Sequence, residues 1–420
     1  MKSGFSGVFK IAELRKRIVF TLCIIIIYRL GSHIPISGID VDALGRLFDQ
    51  GGVLGFFNLF SGGGLSRFSL FALGILPFIN ASIMMQLVTI IWPKLKELAQ
   101  EGESGRKQIS QYTRYMAIAL ATMQGFVMSV GFKSFILPGI NFSLFVFYAV
   151  TSLVAGAALV MWLSEVLSEK GIGNGASILI FVGIIAQMPF YIKNTYVLVA
   201  GGTSIFRVIA LVVVFLMMII SIVYVQEAQR KVQVQYAKRL VGRKLYGGQN
   251  TYIPLRLIQG GVMPIIFASA VLQFPRMLGQ YVNIGAVKTF FDVYYRYDGF
   301  FYNMFFCLLI FFFTYFYTAI TFNPQELSDN IKKYGGFIMG VRPGKPTVEY
   351  LEKIISKLTL VGALFLAMVA IVPVFAANVT NVTSFMGLGG TALLIMVGVA
   401  TDLVKQIETY VVAHRYEGLL

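Results

Sequence analysis

Ten runs of mostly apolar residues, each long enough for a membrane-spanning helix, alternate with charged segments along this chain of 420 residues. A helix needs about 20 apolar residues, within a range of about 17–25, to cross the hydrocarbon core of a bilayer. The chain is 57% hydrophobic and 13% charged, a balance too apolar for a soluble domain. We therefore predict an all-α polytopic membrane protein with spans at 18–36, 68–92, 115–132, 143–163, 176–192, 208–225, 257–278, 300–322, 358–376 and 388–404.

The distribution of Lys and Arg predicts how these spans are oriented. With ten spans and a cytoplasmic N-terminus, about three quarters of the 35 basic residues fall on the cytoplasmic side. Cytoplasmic loops of membrane proteins carry such an excess. No small-residue cleavage site follows the first run, so we expect that run to stay as a span instead of leaving as a signal peptide. Both termini are then cytoplasmic.

These assignments divide the chain into segments of different kinds. The two long cytoplasmic loops show no obvious structure of their own, and long loops of that kind are often functional. The segments are a cytoplasmic N-terminus 1–17, a five-helix half 18–192, an outer loop with the sixth span 193–225, a basic cytoplasmic loop 226–256, the seventh and eighth spans 257–322, a cytoplasmic loop 323–357, the last two spans 358–404 and a cytoplasmic tail 405–420.

An internal repeat relates the two halves of the chain. The segments 74–82 and 261–269, in the second and seventh spans, share Gly, Pro, Ile, Ala and Ser in an ungapped alignment. The segments 175–180 and 390–395, in the fifth and tenth spans, also correspond. Five spans per repeat is an odd number, so the second half is expected to be inverted in the membrane, and broken helices at matching positions indicate a transport path. The alternative is that the shared prolines are ordinary kinks.

Isoleucines line the path that this repeat predicts. Ile75 and Ile79 share a helix face, which Ser82 and Gln86 continue. Their counterparts in the other repeated segments are Ile180, Ile266 and Ile395. A constriction of isoleucines excludes water and ions by dewetting and favours no particular substrate. Periodicity alone favours the alternative that these isoleucines serve simple helix packing.

Missing residue types narrow the possible functions. Ion-coupled transporters keep ionised groups near the bilayer centre, whereas Arg29, Glu165 and Asp402 lie at span ends. No catalytic set, metal-ligating cluster or Gly-x-x-x-x-Gly-Lys phosphate loop is found, so we expect neither enzyme activity nor a cofactor, and energy must come from a partner. A protein-conducting pore is therefore favoured over two alternatives, a secondary transporter and an intramembrane protease.

Six short segments spread along the chain are typical of one known family. They are 71–77, 101–106, 111–115, 171–175, 340–344 and 389–395. On these segments the chain resembles SecY, the channel subunit of the bacterial Sec translocon. The resemblance implies two inverted, pseudo-symmetric halves of five helices around a central hourglass pore in the bacterial plasma membrane. It also implies a passive role, in which the channel moves unfolded polypeptides across the membrane and releases transmembrane segments sideways into it.

The resemblance also assigns roles to residues. The pore ring falls on Ile75, Ile79, Ile180, Ile266, Ile395 and Ala270. The plug helix falls on Phe57, Asn58, Leu59, Phe60, Ser61, Gly62, Gly63, Gly64, Leu65, Ser66 and Arg67. The lateral gate falls on Asn80, Ser82, Gln86, Ile266 and Ser269, and cytoplasmic docking on Arg239, Arg243, Lys244 and Arg342. Ile258 and Gln259 stand where the family usually has Asn. The implied partners are SecE, SecG, the SecA motor ATPase, the ribosome, signal peptides, nascent polypeptides and membrane lipids.

Overall fold

The computed structural model describes residues 11–49, 58–236, 239–241, 244–246, 250–279, 299–380 and 389–417. In these ranges the chain is mainly helical. The helices are α1 (Ala12–Gly31), α2 (Val41–Asp49), α3 (Leu76–Ile91), α4 (Pro93–Gln100), α5 (Glu103–Gly131), α6 (Phe142–Lys170), α7 (Gly175–Ala200), α8 (Ile205–Glu227), α9 (Met263–Gly279), α10 (Phe300–Thr321), α11 (Pro324–Lys333), α12 (Lys345–Thr380) and α13 (Gly390–Glu417). The strands are β1 (Gln229–Tyr236), β2 (Arg239–Val241), β3 (Lys244–Tyr246), β4 (Asn250–Arg256) and β5 (Gly336–Ile338).

Each apolar run overlaps one of these helices. By length and composition, six helices in the described part of the chain can cross a membrane, or seven if the pair α3 and α4, bent by 103°, is one span. The prediction of a polytopic all-α protein is consistent with this. The number of ten spans stays a prediction.

Two helices begin later than their apolar runs. The runs starting at 68 and 257 begin as turns, and helix starts only at Leu76 in α3 and at Met263 in α9. Proline is the second residue of both helices, where its missing N–H leaves no intrahelical hydrogen bond unmade. Hydropathy detects the apolar run but not this break, because the turns are as apolar as the helix.

Several helices extend beyond the apolar runs, three of them by a wide margin. α7 continues past Pro189 to Ala200, α12 already begins at Lys345, and α13 continues to Glu417. Part of the expected loop 323–357 and most of the expected tail 405–420 are therefore helical. An apolar run marks only the part of a helix that suits the hydrocarbon core, and polar turns can extend it into water.

The first compact unit contains residues 1–208 and 380–420. Within it α3, α5 and α6 pack together, α6 packs on α7, and α7 packs on α13. An apolar cluster of Leu14, Ile172 and Val411 joins the start of α1, the α6–α7 turn and the end of α13. Arg17 adds a hydrogen bond from its Nη1 to the Gly171 carbonyl at 3.3 Å. These contacts group the last helix with the first seven.

The second compact unit contains residues 209–379. Its antiparallel three-stranded sheet, in the order β4-β1-β5, was not expected from the sequence. Seven buried aliphatic residues form the core between this sheet, α11 and α12: Val232, Val234, Leu255, Ile331, Ile338, Leu351 and Ile355. We call this sheet with α11 and the start of α12 the platform. The loops expected to lack structure of their own therefore contribute most of a small folded layer.

Candidate functional site

The isoleucines of the predicted constriction in the first unit are all buried. The Ile79 N–H donates a hydrogen bond to the Ile75 carbonyl at 3.1 Å, so these residues are one helical turn apart at the start of α3. Ile180 in α7 and Ile395 in α13 are also buried, and their two helices pack against each other. The first unit thus contributes four aliphatic side chains to the predicted ring.

The second unit contributes Ile266 and Ala270, which lie one turn apart in α9. Ile266 is buried and Ala270 is half-buried. The hydroxyl of Ser269 donates to the Ile266 carbonyl at 2.8 Å, so this neighbouring polar group is satisfied within its own helix. No member of the predicted ring has a polar side-chain atom, and such a lining offers no ligand to an ion or to water.

The plug prediction is only partly helical in the structure. Phe57 lies outside the described residues, residues 58–60 form one helical turn, and residues 61–67 continue as non-helical turns. Gly62 and Gly63 have φ angles of +64° and +88°. Only glycine adopts this left-handed region without strain, so two such residues in succession end the helix. The expectation of a helix through to Arg67 is corrected to one turn followed by a glycine-rich coil.

Asn58 and Ser61 stabilise this coil through hydrogen bonds within it. The Asn58 side-chain oxygen accepts a hydrogen bond from the Ser66 N–H at 2.9 Å, and the Asn58 carbonyl accepts one from the Gly63 N–H at 2.8 Å. The Ser61 hydroxyl oxygen accepts from the Leu65 N–H at 3.0 Å. We call residues 58–67 the plug segment.

The predicted gate residues lie on α3 and α9. The Gln86 amide donates to the Ser82 hydroxyl at 3.4 Å, which confirms that these two side chains share a face of α3. The side-chain oxygen of Asn80 is buried and has no hydrogen-bond partner among the described residues. The same holds for the side-chain nitrogen of Gln259, which precedes α9. Leaving a buried polar atom of this kind unpaired costs about 1–3 kcal/mol.

The predicted docking residues lie close in sequence to the strands of the platform. Arg342 is exposed in the turn before α12, and its carbonyl accepts a hydrogen bond from the Thr347 hydroxyl at 2.9 Å. Arg239 lies in β2 and Lys244 in β3, which pair with each other, while Arg243 lies outside the described residues.

A family model described as SecY matches residues 69–404. The chain belongs to the SecY family. Among curated members of the family, the protein translocase subunit SecY of Thermotoga maritima is 42% identical over 100% of this chain and 98% of its own length. The protein of the same name from Synechocystis is 46% identical over 97% of this chain and 95% of its own length.

Solved structures confirm the SecY fold. A protein-conducting channel matches with a TM-score of 0.66 at 18% identity, covering 94% of this chain and 91% of the channel. A SecY protein whose plug domain stabilises the closed channel and maintains a membrane seal matches with a TM-score of 0.64 at 18% identity, with the same coverage. Sec61 in the canine ribosome–channel complex gives 0.62 at 17% identity, over 94% of this chain and 91% of Sec61. The fold and the described apolar helices make this SecY-family chain a multi-pass membrane protein.

Sequence reasoning did not predict several contacts near the candidate site residues. Lys231 of β1 lies with its Nζ 4.7 Å from the centre of the Tyr252 ring on β4, and both residues are exposed on one face of the platform. The alternation of polar and apolar residues over 231–235 is a strand signal that could have located this face. No sequence pattern predicts that Arg29 and Gly183 contact the plug segment. An arginine or a glycine can contact many kinds of partner, so neither residue type shows which segment it meets.

Proposed function

We propose that the chain is the central subunit of a passive channel that moves unfolded polypeptides across the bacterial plasma membrane. The observation that carries the proposal is the set of buried aliphatic ring residues accompanied by a separate, glycine-rich plug segment. An aliphatic constriction blocks ions when empty and still accepts side chains of any chemistry when filled. Membership of the SecY family supports this function, since its curated relatives are named as protein translocase subunits.

Lateral release of apolar segments is the second part of the proposal. α3 and α9 carry the same repeated motif, and small residues of that motif, such as Ser82 and Ser269, suit a seam with few interlocking side chains. Asn80, Ser82 and Gln86 on α3 and Ile266 and Ser269 on α9 are the proposed gate. An apolar segment then moves from the channel into the lipid because its transfer is favourable. Each Leu, Ile, Phe or Val at the helix centre contributes about −0.3 to −0.6 kcal/mol to the free energy of insertion.

A partner supplies the energy in this proposal. The exposed Arg342 and the basic strands β2 and β3 suit docking of an acidic protein surface or of RNA phosphates, because a guanidinium pairs with either in a bidentate way. A solved relative, Sec61, is bound to a ribosome. We therefore propose SecA and the ribosome as docking partners, SecE and SecG as companion subunits, and cytoplasmic positions for both termini.

The ring is tested by ion currents through the purified, reconstituted channel without substrate. Replacing Ile79 and Ile266 together with Asn should raise the resting conductance at least tenfold, because a polar lining removes the dewetting barrier. Replacing the same residues with Val keeps the lining aliphatic and serves as the control. Equal currents in the wild-type and Asn variants would show that these residues do not form the constriction.

A further inference from the structure

The plug segment is tied to the first helix by a single charged hydrogen bond. Arg29 lies in the last turn of α1, and its Nη1 donates to the Gly62 carbonyl at 2.7 Å, across 33 residues of sequence. Short distances of this kind are typical of charge-assisted hydrogen bonds, which are the strong ones. Because the acceptor is a backbone carbonyl, the contact depends on the course of the plug segment and not on any of its side chains.

α7 supplies a seat for the same turn. A Cβ added at Gly183 would lie 3.1 Å from the Phe60 carbonyl oxygen, 3.2 Å from that of Leu59 and 3.3 Å from the Gly62 nitrogen. These distances are tighter than ordinary van der Waals contact, so any larger residue at position 183 would push the plug backbone away. The buried Gln187 follows one turn later, and its Nε2 would lie 2.5 Å from a Cβ added at Gly63.

These contacts converge on the two glycines in the left-handed conformation. Arg29 approaches Gly62 from α1, while Gly183 and Gln187 approach Gly62 and Gly63 from α7. Every one of these contacts is made to the backbone of the plug segment. The plug segment also buries the side chains of Leu59, Phe60 and Leu65, so these backbone contacts add to apolar packing and form the polar part of what holds the segment in its seat.

We infer that Arg29 and Gly183 are positioning residues that hold the plug segment in the closed channel, Arg29 as a latch and Gly183 as the seat. This rests on the proposed function, in which the plug segment closes the pore. Loss of either residue shifts the equilibrium toward the open channel while the isoleucine ring itself stays intact. Polypeptides with weak signal segments then gain entry, since less binding free energy is needed to open the channel.

The test measures resting ion conductance of the full chain, purified from its membrane with its accompanying subunits, in planar bilayers. We expect Arg29→Ala and Gly183→Ala each to raise the resting conductance about tenfold, a shift of about 1.4 kcal/mol. Both should also raise export of a reporter whose signal segment carries one charge in its apolar core. Arg29→Lys should restore the low conductance, because an ammonium also donates to the Gly62 carbonyl; a purely structural role for the arginine predicts no such selective rescue.

Two matched control variants distinguish a specific effect of Arg29 and Gly183 from a general loss of stability. Arg207→Ala removes an exposed arginine at the start of α8, and Gly201→Ala adds a methyl group at the end of α7, where its nearest neighbours are at an ordinary 3.4 Å. Both should behave as wild type. If Arg29→Ala does not assemble, Arg29→Gln keeps the side-chain stem without the charge and takes its place.

The ring variant with Asn at positions 79 and 266 is measured in parallel. If it conducts while the Arg29 and Gly183 variants stay closed, the latch and seat are wrong and the proposed channel stands. If the ring variant also stays closed, the result contradicts the proposed function and, with it, the proposed role of Arg29 as a latch. Conductance that rises equally in the two control variants would likewise overturn the specific roles of Arg29 and Gly183.

Discussion

The plug segment and the platform differ in how their backbones are hydrogen-bonded. The platform has antiparallel strand pairing on both sides of β1 and a core of seven buried aliphatic residues. The plug segment is a turn-rich coil with buried apolar side chains, and its hydrogen bonds are accepted by the side chains of Asn58 and Ser61 and donated by Arg29. The Nη1 of its Arg67 is buried without a partner among the described residues. Both regions bury apolar side chains, so continuous strand pairing gives the platform the larger local stability. The comparison predicts a rigid surface at the proposed docking site and a displaceable segment at the proposed plug.

The largest effect is expected in the core of the platform. Leu351 of α12 is fully buried in the aliphatic cluster, so Leu351→Ala should lower the local free energy of unfolding by about 2–5 kcal/mol through lost burial and a cavity. Hydrogen exchange at the β1 amides of Val232 and Val234 measures this change. Leu360, on the same helix, is 46% exposed, and Leu360→Ala should leave these amides protected. Equal exchange in the two variants would contradict the rigid platform.

A smaller effect is expected within the plug segment. Asn58→Ala removes the acceptor for the Ser66 N–H and should cost about 1 kcal/mol locally. Thermal unfolding of the whole protein should not change, but exchange at residues 61–66 and the resting conductance should both rise. Asn141, which accepts a hydrogen bond from the Ser143 N–H at the start of α6, provides a matched control. A plug as firmly held as the platform would show no difference between Asn58→Ala and Asn141→Ala.

The smallest effect on stability is expected at the exposed turn before α12. Arg342→Glu should change the free energy of unfolding by less than about 0.5 kcal/mol, because exposed substitutions away from special contacts are usually within that range. Motor-driven export should nevertheless fall severalfold, with Arg342→Lys intermediate since it keeps the charge and loses the planar fork. Lys353→Glu makes the same change of charge at another exposed site on α12. An equal loss of export in that variant would attribute the effect to net charge instead of docking at Arg342.

The membrane class, the apolar runs and the isoleucines of the predicted ring follow from local sequence. Hydropathy over about 20 residues decides where a helix can be buried in lipid, and it needs no knowledge of tertiary neighbours. The repeated motif in α3 and α9 is likewise a pattern that can be compared residue by residue. The strand β1 could also be predicted from sequence, because polar and apolar residues alternate along it.

Only the tertiary structure decided which distant residues meet. Arg29 could have been an ordinary interfacial arginine at the end of a span, and its hydrogen bond to Gly62 depends on how a loop 33 residues away returns to α1. Gly183 in α7 is indistinguishable from any other helical glycine until the plug backbone is seen within reach of it. The sheet also joins segments that are distant in sequence, because β5 pairs with β1 although α9 and α10 lie between them along the chain. Backbone acceptors and glycines have no side-chain identity that a partner could be matched to, so contacts of this kind are settled by the fold.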